Sequence, residues 1–230
     1  MNHPPVSHDV RALARRIHER TGWELPESRL RELSRAAAGV GEVSDRKLET
    51  IIETLCVGET YFFRDRALYH ALATAILPEV IVAHAGGARA ISIWSAGCAT
   101  GEEPYSLATI LRGCQGAAEP GGQPVLATDL SATFLARARE GVYGKNSFRT
   151  VTAEMRRKHL LEHGPGRWRV MPEVKAMVRF ARLNLVRDLF PTGVDLVVCQ
   201  NVLMYFTRAC ARQVIEGFAR SLRPGGWLVT

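Results

Sequence analysis

The chain has 230 residues, 47% hydrophobic and 23% charged, with a net charge of +7. That is the composition of an ordinary globular protein with enough chain to bury a substantial core. The longest apolar stretch, Ala71 to Ala83, is interrupted by Pro78 and Glu79 and reads as too short for a membrane span, so no membrane insertion is expected. The N-terminus has no apolar signal core, and the five scattered cysteines form no Cys-x-x-Cys pair. Those two features argue against a zinc site or a secreted disulfide framework and fit a reducing cytoplasm. The histidines show no metal spacing either, so no metal is expected.

In chain order, Val10 to Arg20 places Val10, Leu13, Ala14 and Ile17 on one helical face. Leu30, Leu33 and Ala37 continue the pattern in a second helix after Pro26. Ser44 is a candidate N-cap for a third helix, with Leu48, Ile51, Ile52 and Leu55 as its stripe. Asp65 caps a fourth through Leu68, Leu72, Ile76 and Leu77, which Pro78 should kink or end. This predicts a small helical domain over 1–75.

The pattern changes after Gly86-Gly87. Ala90–Trp94, Val125–Thr128 and Asp195–Cys199 are short apolar strands, and helices are expected after the glycine loop that follows Trp94, at Ser131–Glu140 and near Arg208–Leu222. Pro224-Gly225-Gly226 is a turn before a last strand at Trp227. Alternating strands and helices predict an α/β fold, a parallel Rossmann-like doubly wound sheet over 76–230. One stretch departs from this alternation. Gly164-Pro165-Gly166, Arg167–Val170 and Val174–Phe180 read as an antiparallel β-subdomain at about 160–182. It lies in the segment 131–182, whose 12 Lys/Arg against four acids carry the chain's basic excess. A concentrated positive field favours an anionic partner, nucleic acid or an acidic protein surface; a solvated basic face explains it equally well.

The loop Ser95-Ala96-Gly97-Cys98-Ala99-Thr100-Gly101 sits between a strand and a helix, where Gly97 and Gly101 supply a tight turn and backbone amides can meet a ligand. Glu102, Glu103 and Pro104 follow at once. A helix N-terminus attracts phosphate, but two carboxylates there repel it. NAD, FAD and ATP become poor candidates. A ligand with an amino group, a sulfonium and hydroxyls fits, and S-adenosylmethionine (SAM) is that ligand. Asp129 ends the second strand, where a carboxylate accepts ribose hydroxyls or caps the next helix. Gln200 and Asn201 follow the strand at Asp195–Cys199 and are placed to reach cofactor or substrate.

Several ordered motifs carry a resemblance over nearly the whole chain. They are Gly58–Asp65 (GETYFFRD), Trp94–Ser106 (WSAGCATGEEPYS), Ala127–Leu130, Leu183-Asn184-Leu185, and Cys199–Phe206 (CQNVLMYF). With them the chain resembles the chemotaxis-receptor glutamate methyltransferases, the CheR family. The resemblance implies a helical N-terminal domain, a SAM-binding α/β domain and a β-subdomain. It implies a cytoplasmic enzyme forming γ-methyl esters on glutamates of methyl-accepting chemoreceptor cytoplasmic domains, with S-adenosylhomocysteine as co-product. It also implies cofactor contacts from Thr60, Arg64, Glu103 (with Glu102 second), Asp129, Asn184, Leu185 and Asn201, beside Gly97 and Gln200 expected from the loop and the strand end, and places Arg64 and Tyr205 at the reacting methyl.

Three departures stand out. The family often has Asn at Gly58 and Arg at Gln200. The Gly164-Pro165-Gly166 hairpin is shorter than in members that dock on a receptor's C-terminal pentapeptide, so no such tether is expected. The chain stops at Thr230 inside a strand, which suggests a fragment of a longer protein. A non-catalytic SAM-binding module is the alternative that Gly58, Gln200 and this ending motivate. A nucleic-acid methyltransferase fits the basic segment, but the Asn/Asp-Pro-Pro-aromatic motif of amino-nitrogen methylation is absent at Gln200–Leu203. No nucleic-acid partner is therefore expected.

Overall fold

A computed structural model describes residues 8–36, 43–84, 90–115, 122–152, 156 and 159–230. Ala37 and Gly86-Gly87 lie outside the described residues.

The N-terminal helices are α1 (His8–Thr21), α2 (Glu27–Ala36) and α3 (Asp45–Leu55). The Ser44 hydroxyl accepts from the Lys47 amide and starts α3 as the sequence predicts. These helices bury a core of their own, with Val10, Leu13, Ile17, Leu33, Leu48, Ile51, Ile52 and Leu55 packed together. Glu53 joins this unit to the rest. Its Oε1 accepts from Ser131 Oγ at 2.6 Å and from the Thr133 amide at 2.7 Å, at the start of a later helix. Partial burial pushes its carboxyl up, but these bonds outweigh it and hold the group below its ordinary range.

Asp65 caps α4 (Arg66–Ala71), a π-turn follows at Leu72–Ile76, and α5 (Leu77–His84) continues it. Pro78 therefore does not end the helix, one of the two outcomes expected of it. The π-turn widens the helix one turn ahead of the proline, and the Cys114 thiol donates to the Ala73 carbonyl at 3.5 Å. Arg66–His84 is consequently long and apolar enough, by length and composition alone, to cross a membrane. Leu72, Ile76, Leu77 and Val80 bury its inner face in the main core. The helix runs through residues 75 and 76, where the sequence places the domain boundary.

Five parallel strands form the main sheet in the order β6-β2-β1-β7-β8: β1 (Ile93–Ala96), β2 (Val125–Asp129), β6 (Val178–Arg182), β7 (Val194–Val198) and β8 (Leu222–Val229). Between them run α6 (Glu102–Gln115), α7 (Ala132–Glu140) and α9 (Arg208–Ser221). Both faces are covered, so β1 and β7 are buried without a break. Ile93, Leu196 and Val198 face the core under α4–α6, while Trp94, Ala96 and Val197 face Phe218 on α9.

A second, three-stranded antiparallel sheet has the order β3-β5-β4, from β3 (Val142–Gly144), β4 (Leu160–Glu162) and β5 (Arg167–Val170). The hairpin around Gly164–Gly166 is the predicted one. Val174–Phe180 does not belong to it. Pro172 opens a short helix α8 (Pro172–Ala176), and Val178–Arg182 joins the main sheet as β6 beside β2. Its place is taken by β3, which pairs with Arg167–Arg169 across more than twenty intervening residues. Pro224-Gly225-Gly226 is not a separate turn but an irregularity inside β8, between its pairing to Val194 and to Leu196.

Candidate active site

The carboxyl ends of β1, β2 and β7 open onto one cavity of about 510 Å³. Thr60, Arg64, Gly97, Glu103, Asp129, Asn184, Leu185, Gln200, Asn201 and Tyr205 all line it. The strand order reverses between β1 and β7, and ligands bind at such a switch point. Three non-glycine residues with positive φ cluster here: Phe63 next to Arg64, Ala99 in the glycine loop, and Asn201. Such backbone persists where the surroundings over-determine it, commonly at working sites.

The glycine loop is held from below. The Gly97 and Cys98 amides donate to the Thr128 carbonyl at 2.8 and 2.9 Å, and the Gly101 amide to the Cys98 carbonyl at 3.0 Å. The Ala99 amide donates to Asp129 Oδ2 at 2.8 Å. These amides are therefore not turned to a ligand, as the sequence reading expects, because the loop folds down onto the end of β2. Gly97 has φ +78°, and a Cβ there would stand 2.4 Å from Val202 Cγ2. Gly101 has φ +98° and lets the loop meet α7, where a Cβ would lie 2.8 Å from that of Ala138.

The two adjacent acids separate. Glu102 is buried and faces away from the cavity, contrary to its expected cofactor role. Thr100 Oγ1 and Ser147 Oγ donate to it at 2.7 and 2.8 Å, so it ties the loop to the segment after β3. Glu103 faces the cavity and accepts from Ser95 Oγ at 2.7 Å. Burial pushes its carboxyl up to about 7, against the pull of the Ser95 hydroxyl, the Gln200 amide and the Arg64 charge. Asp129 is also raised by burial, although the amides of Ser131 and Ala99 oppose this. Each Asp129 oxygen accepts one of those amides and keeps a lone pair for a ligand.

Asn184 is committed to structure. Its Nδ2 donates to the Arg20 carbonyl at 2.8 Å and its Oδ1 accepts from the Val186 amide at 2.9 Å, anchoring α1 to the sheet. A Cβ at Gly58 would lie 2.7 Å from the Phe134 ring, itself a wall of the cavity, so a side chain there requires that ring to move. Cys98 is buried and its thiol is held well above the ordinary range by that burial, which suits a packed loop residue rather than a nucleophile.

Sequence reasoning missed the contribution of the linker after α1. Trp23, Glu24, Leu25 and Pro26 close one side of the cavity. The Glu24 amide donates to the Tyr205 carbonyl at 2.8 Å, and Trp23 bridges to Phe206. No local pattern marks this contact, because nearly the whole chain separates the two segments.

A family model described as CheR methyltransferase, SAM binding domain, matches residues 58–230. The chain belongs to the CheR family. It is 36% identical over 186 residues to chemotaxis protein methyltransferase 1 of Pseudomonas aeruginosa, covering 78% of this chain and 67% of that protein. It is 39% identical over 184 residues to the chemotaxis protein methyltransferase of Vibrio parahaemolyticus, covering 77% and 65%. The chain thus spans about two thirds of the length of these CheR relatives. Magnesium protoporphyrin IX methyltransferase from Synechocystis PCC 6803 with bound SAH is a solved structure with remote similarity, at a TM-score of 0.37 and 14% identity over 94% of this chain and 64% of that one.

The cavity suits SAM on its own chemistry. Its volume is in the range of small-molecule sites. Its acids, Glu103 and Asp129, match an amine and vicinal hydroxyls. The loop amides that would cradle a phosphate are already bonded within the protein.

Proposed function

We propose that this protein transfers the methyl group of SAM to glutamate side chains of chemoreceptor cytoplasmic domains, forming γ-methyl esters. The observation that carries this reading is the shared cavity, in which Arg64 and Tyr205 stand with Glu103 and Asp129. The names of the CheR relatives support the chemotactic setting. A receptor's cytoplasmic domain as substrate implies action in the cytoplasm.

Bound SAM supplies an electrophilic methyl. Glu103 holds its cationic amine end, Asp129 accepts the ribose hydroxyls, and Thr60, Leu185, Gln200 and Asn201 shape the rest of the pocket. The attacking glutamate is already ionised at neutral pH, with an ordinary pKa of about 4.3, so no general base is needed. The protein's task is alignment and exclusion of water. Arg64 offers a fixed guanidinium to that carboxylate and Tyr205 a hydroxyl that sets its orientation. Arg64 is itself steadied, since its Nη1 donates to the Glu59 carbonyl at 2.8 Å.

The test is transfer from methyl-labelled SAM to the cytoplasmic fragment of the receptor encoded beside this protein. The expected product is base-labile and releases methanol; a base-stable product sinks the ester reading. Arg64→Ala should lower transfer at least a hundredfold with SAM affinity changed far less, because a charge-assisted contact made at the reacting group is lost. Unaltered transfer by that variant would remove Arg64 from the mechanism.

We also propose that recognition needs no receptor pentapeptide, on the ground that the β4–β5 hairpin turns within Gly164–Gly166. Calorimetry with a receptor C-terminal pentapeptide should give no heat of binding; saturable binding overturns the idea.

A further inference from the structure

Arg149 is an exposed cation outside the motifs that define the site. It lies in the segment after β3, which is laced to the Gly58–Asp65 motif. The Phe62 amide donates to the Ser147 carbonyl at 2.9 Å, and Thr150 Oγ1 donates to the Phe62 carbonyl at 2.7 Å. This connection brings the Arg149 guanidinium to 3.9 Å from the centre of the Tyr61 ring and to 3.2 Å from the Glu59 carboxylate.

Arg64 occupies the same surroundings. It lies 5.6 Å from the same ring centre, and its Nη1 is bonded to the carbonyl of the same Glu59. Two guanidinium groups therefore share one ring and one residue, yet the carboxylate goes to Arg149. Among the described residues Arg64 makes no ion pair, and it faces the cavity. The Glu59 carboxylate belongs to the residue whose carbonyl already accepts from Arg64, which makes it the acid tethered to that guanidinium. As a source of stability the Arg149–Glu59 pair counts for little, because its side chains are 49% and 63% exposed.

We propose that Arg149 is a positioning residue that keeps the Glu59 carboxylate off Arg64, leaving the Arg64 charge available to an incoming carboxylate substrate. This rests on the role given to Arg64 above. Without Arg149, Glu59 becomes an internal competitor for the substrate's own binding group. Both guanidinium groups lie within cation–π reach of the Tyr61 ring, Arg149 the nearer.

Arg149→Ala should raise the KM for the receptor fragment about tenfold, the scale of one charge-assisted hydrogen bond. SAM affinity measured by calorimetry should stay at the parent value. Adding Glu59→Gln to Arg149→Ala should restore the KM, and Arg149→Lys should retain most of it. A role limited to holding the loop would not be rescued by removing a second partner. A readout independent of turnover is the carbon-13 titration of Glu103, whose carboxyl the Arg64 charge draws down. Arg149→Ala should move that titration to higher pH, and Glu59→Gln should return it. Parent KM and parent Glu103 titration in Arg149→Ala, or no rescue by Glu59→Gln, overturns the proposal. Should Arg64→Ala leave transfer intact, the functional reading fails, and the Glu103 titration then decides the Arg149–Glu59 question by itself.

Discussion

Gly97→Ala is expected to abolish measurable SAM binding and to cost about 2–5 kcal/mol of folding stability, from two separable causes. The first is backbone: Gly97 has φ +78°, and a left-handed conformation costs an L-residue roughly 1–2 kcal/mol. The second is packing. The new methyl would sit 2.4 Å from Val202 Cγ2, so Val202 must move, and overpacking of this kind costs about 1–3 kcal/mol. Val202 and Gly97 both line the cavity, so the displacement is felt where the cofactor sits. Adding Val202→Ala makes room for the methyl without relieving φ. The double variant should therefore recover only the packing share of the stability in urea denaturation. Full recovery would assign the whole effect to crowding, and an unchanged urea midpoint in Gly97→Ala would remove both causes.

Much of this site was legible because its signals are local. The glycine spacing, the acids after it and Asp129 at a strand end all lie within single strand–loop–helix units. What local reading left open was direction. Consecutive helical residues point about 100° apart, so Glu102 and Glu103 cannot both face one ligand. Only the packed structure shows Glu102 bonded to Thr100 and Ser147 while Glu103 turns inward. The errors elsewhere share a cause. Val174–Phe180 and Arg167–Val170 look alike as short runs that mix bulky apolar and basic residues, and nothing local says that one pairs with β2 and the other with β3. Pro78 does not end its helix, because a π-turn immediately upstream changes the hydrogen-bond register ahead of it. The linker Trp23–Pro26 and the Arg149–Glu59 pair are products of tertiary contact and carry no motif.

Glu103→Gln should separate function from stability in opposite directions. In the folded protein burial holds the Glu103 carboxyl at about 7, whereas an unfolded glutamate titrates near 4.3. The folded state thus binds this proton more tightly, and ionisation weighs against folding. That penalty is absent below the unfolded value, grows as pH rises through the interval, and is complete above about 7. Removing the charge should therefore raise the melting temperature far less at pH 5 than at pH 8, where the gain reaches a few degrees. The gain is on the order of 1–2 kcal/mol rather than the full shift, because the neutral glutamine accepts from Ser95 and the Gln200 amide more weakly than the carboxylate does. Affinity should move the other way. Loss of a charge-assisted bond to the cofactor's amine should weaken SAM binding roughly tenfold to a hundredfold at pH 8. In the parent the ionised fraction of Glu103 falls about tenfold per pH unit below 7, and SAM affinity should fall with it. The variant should lack that dependence. Calorimetric binding from pH 5 to 8, beside thermal melts of both proteins, reads all of these at once. A variant that lost stability at pH 8, or kept the parent's affinity profile, would show that the buried carboxylate is held for the fold and not for the ligand.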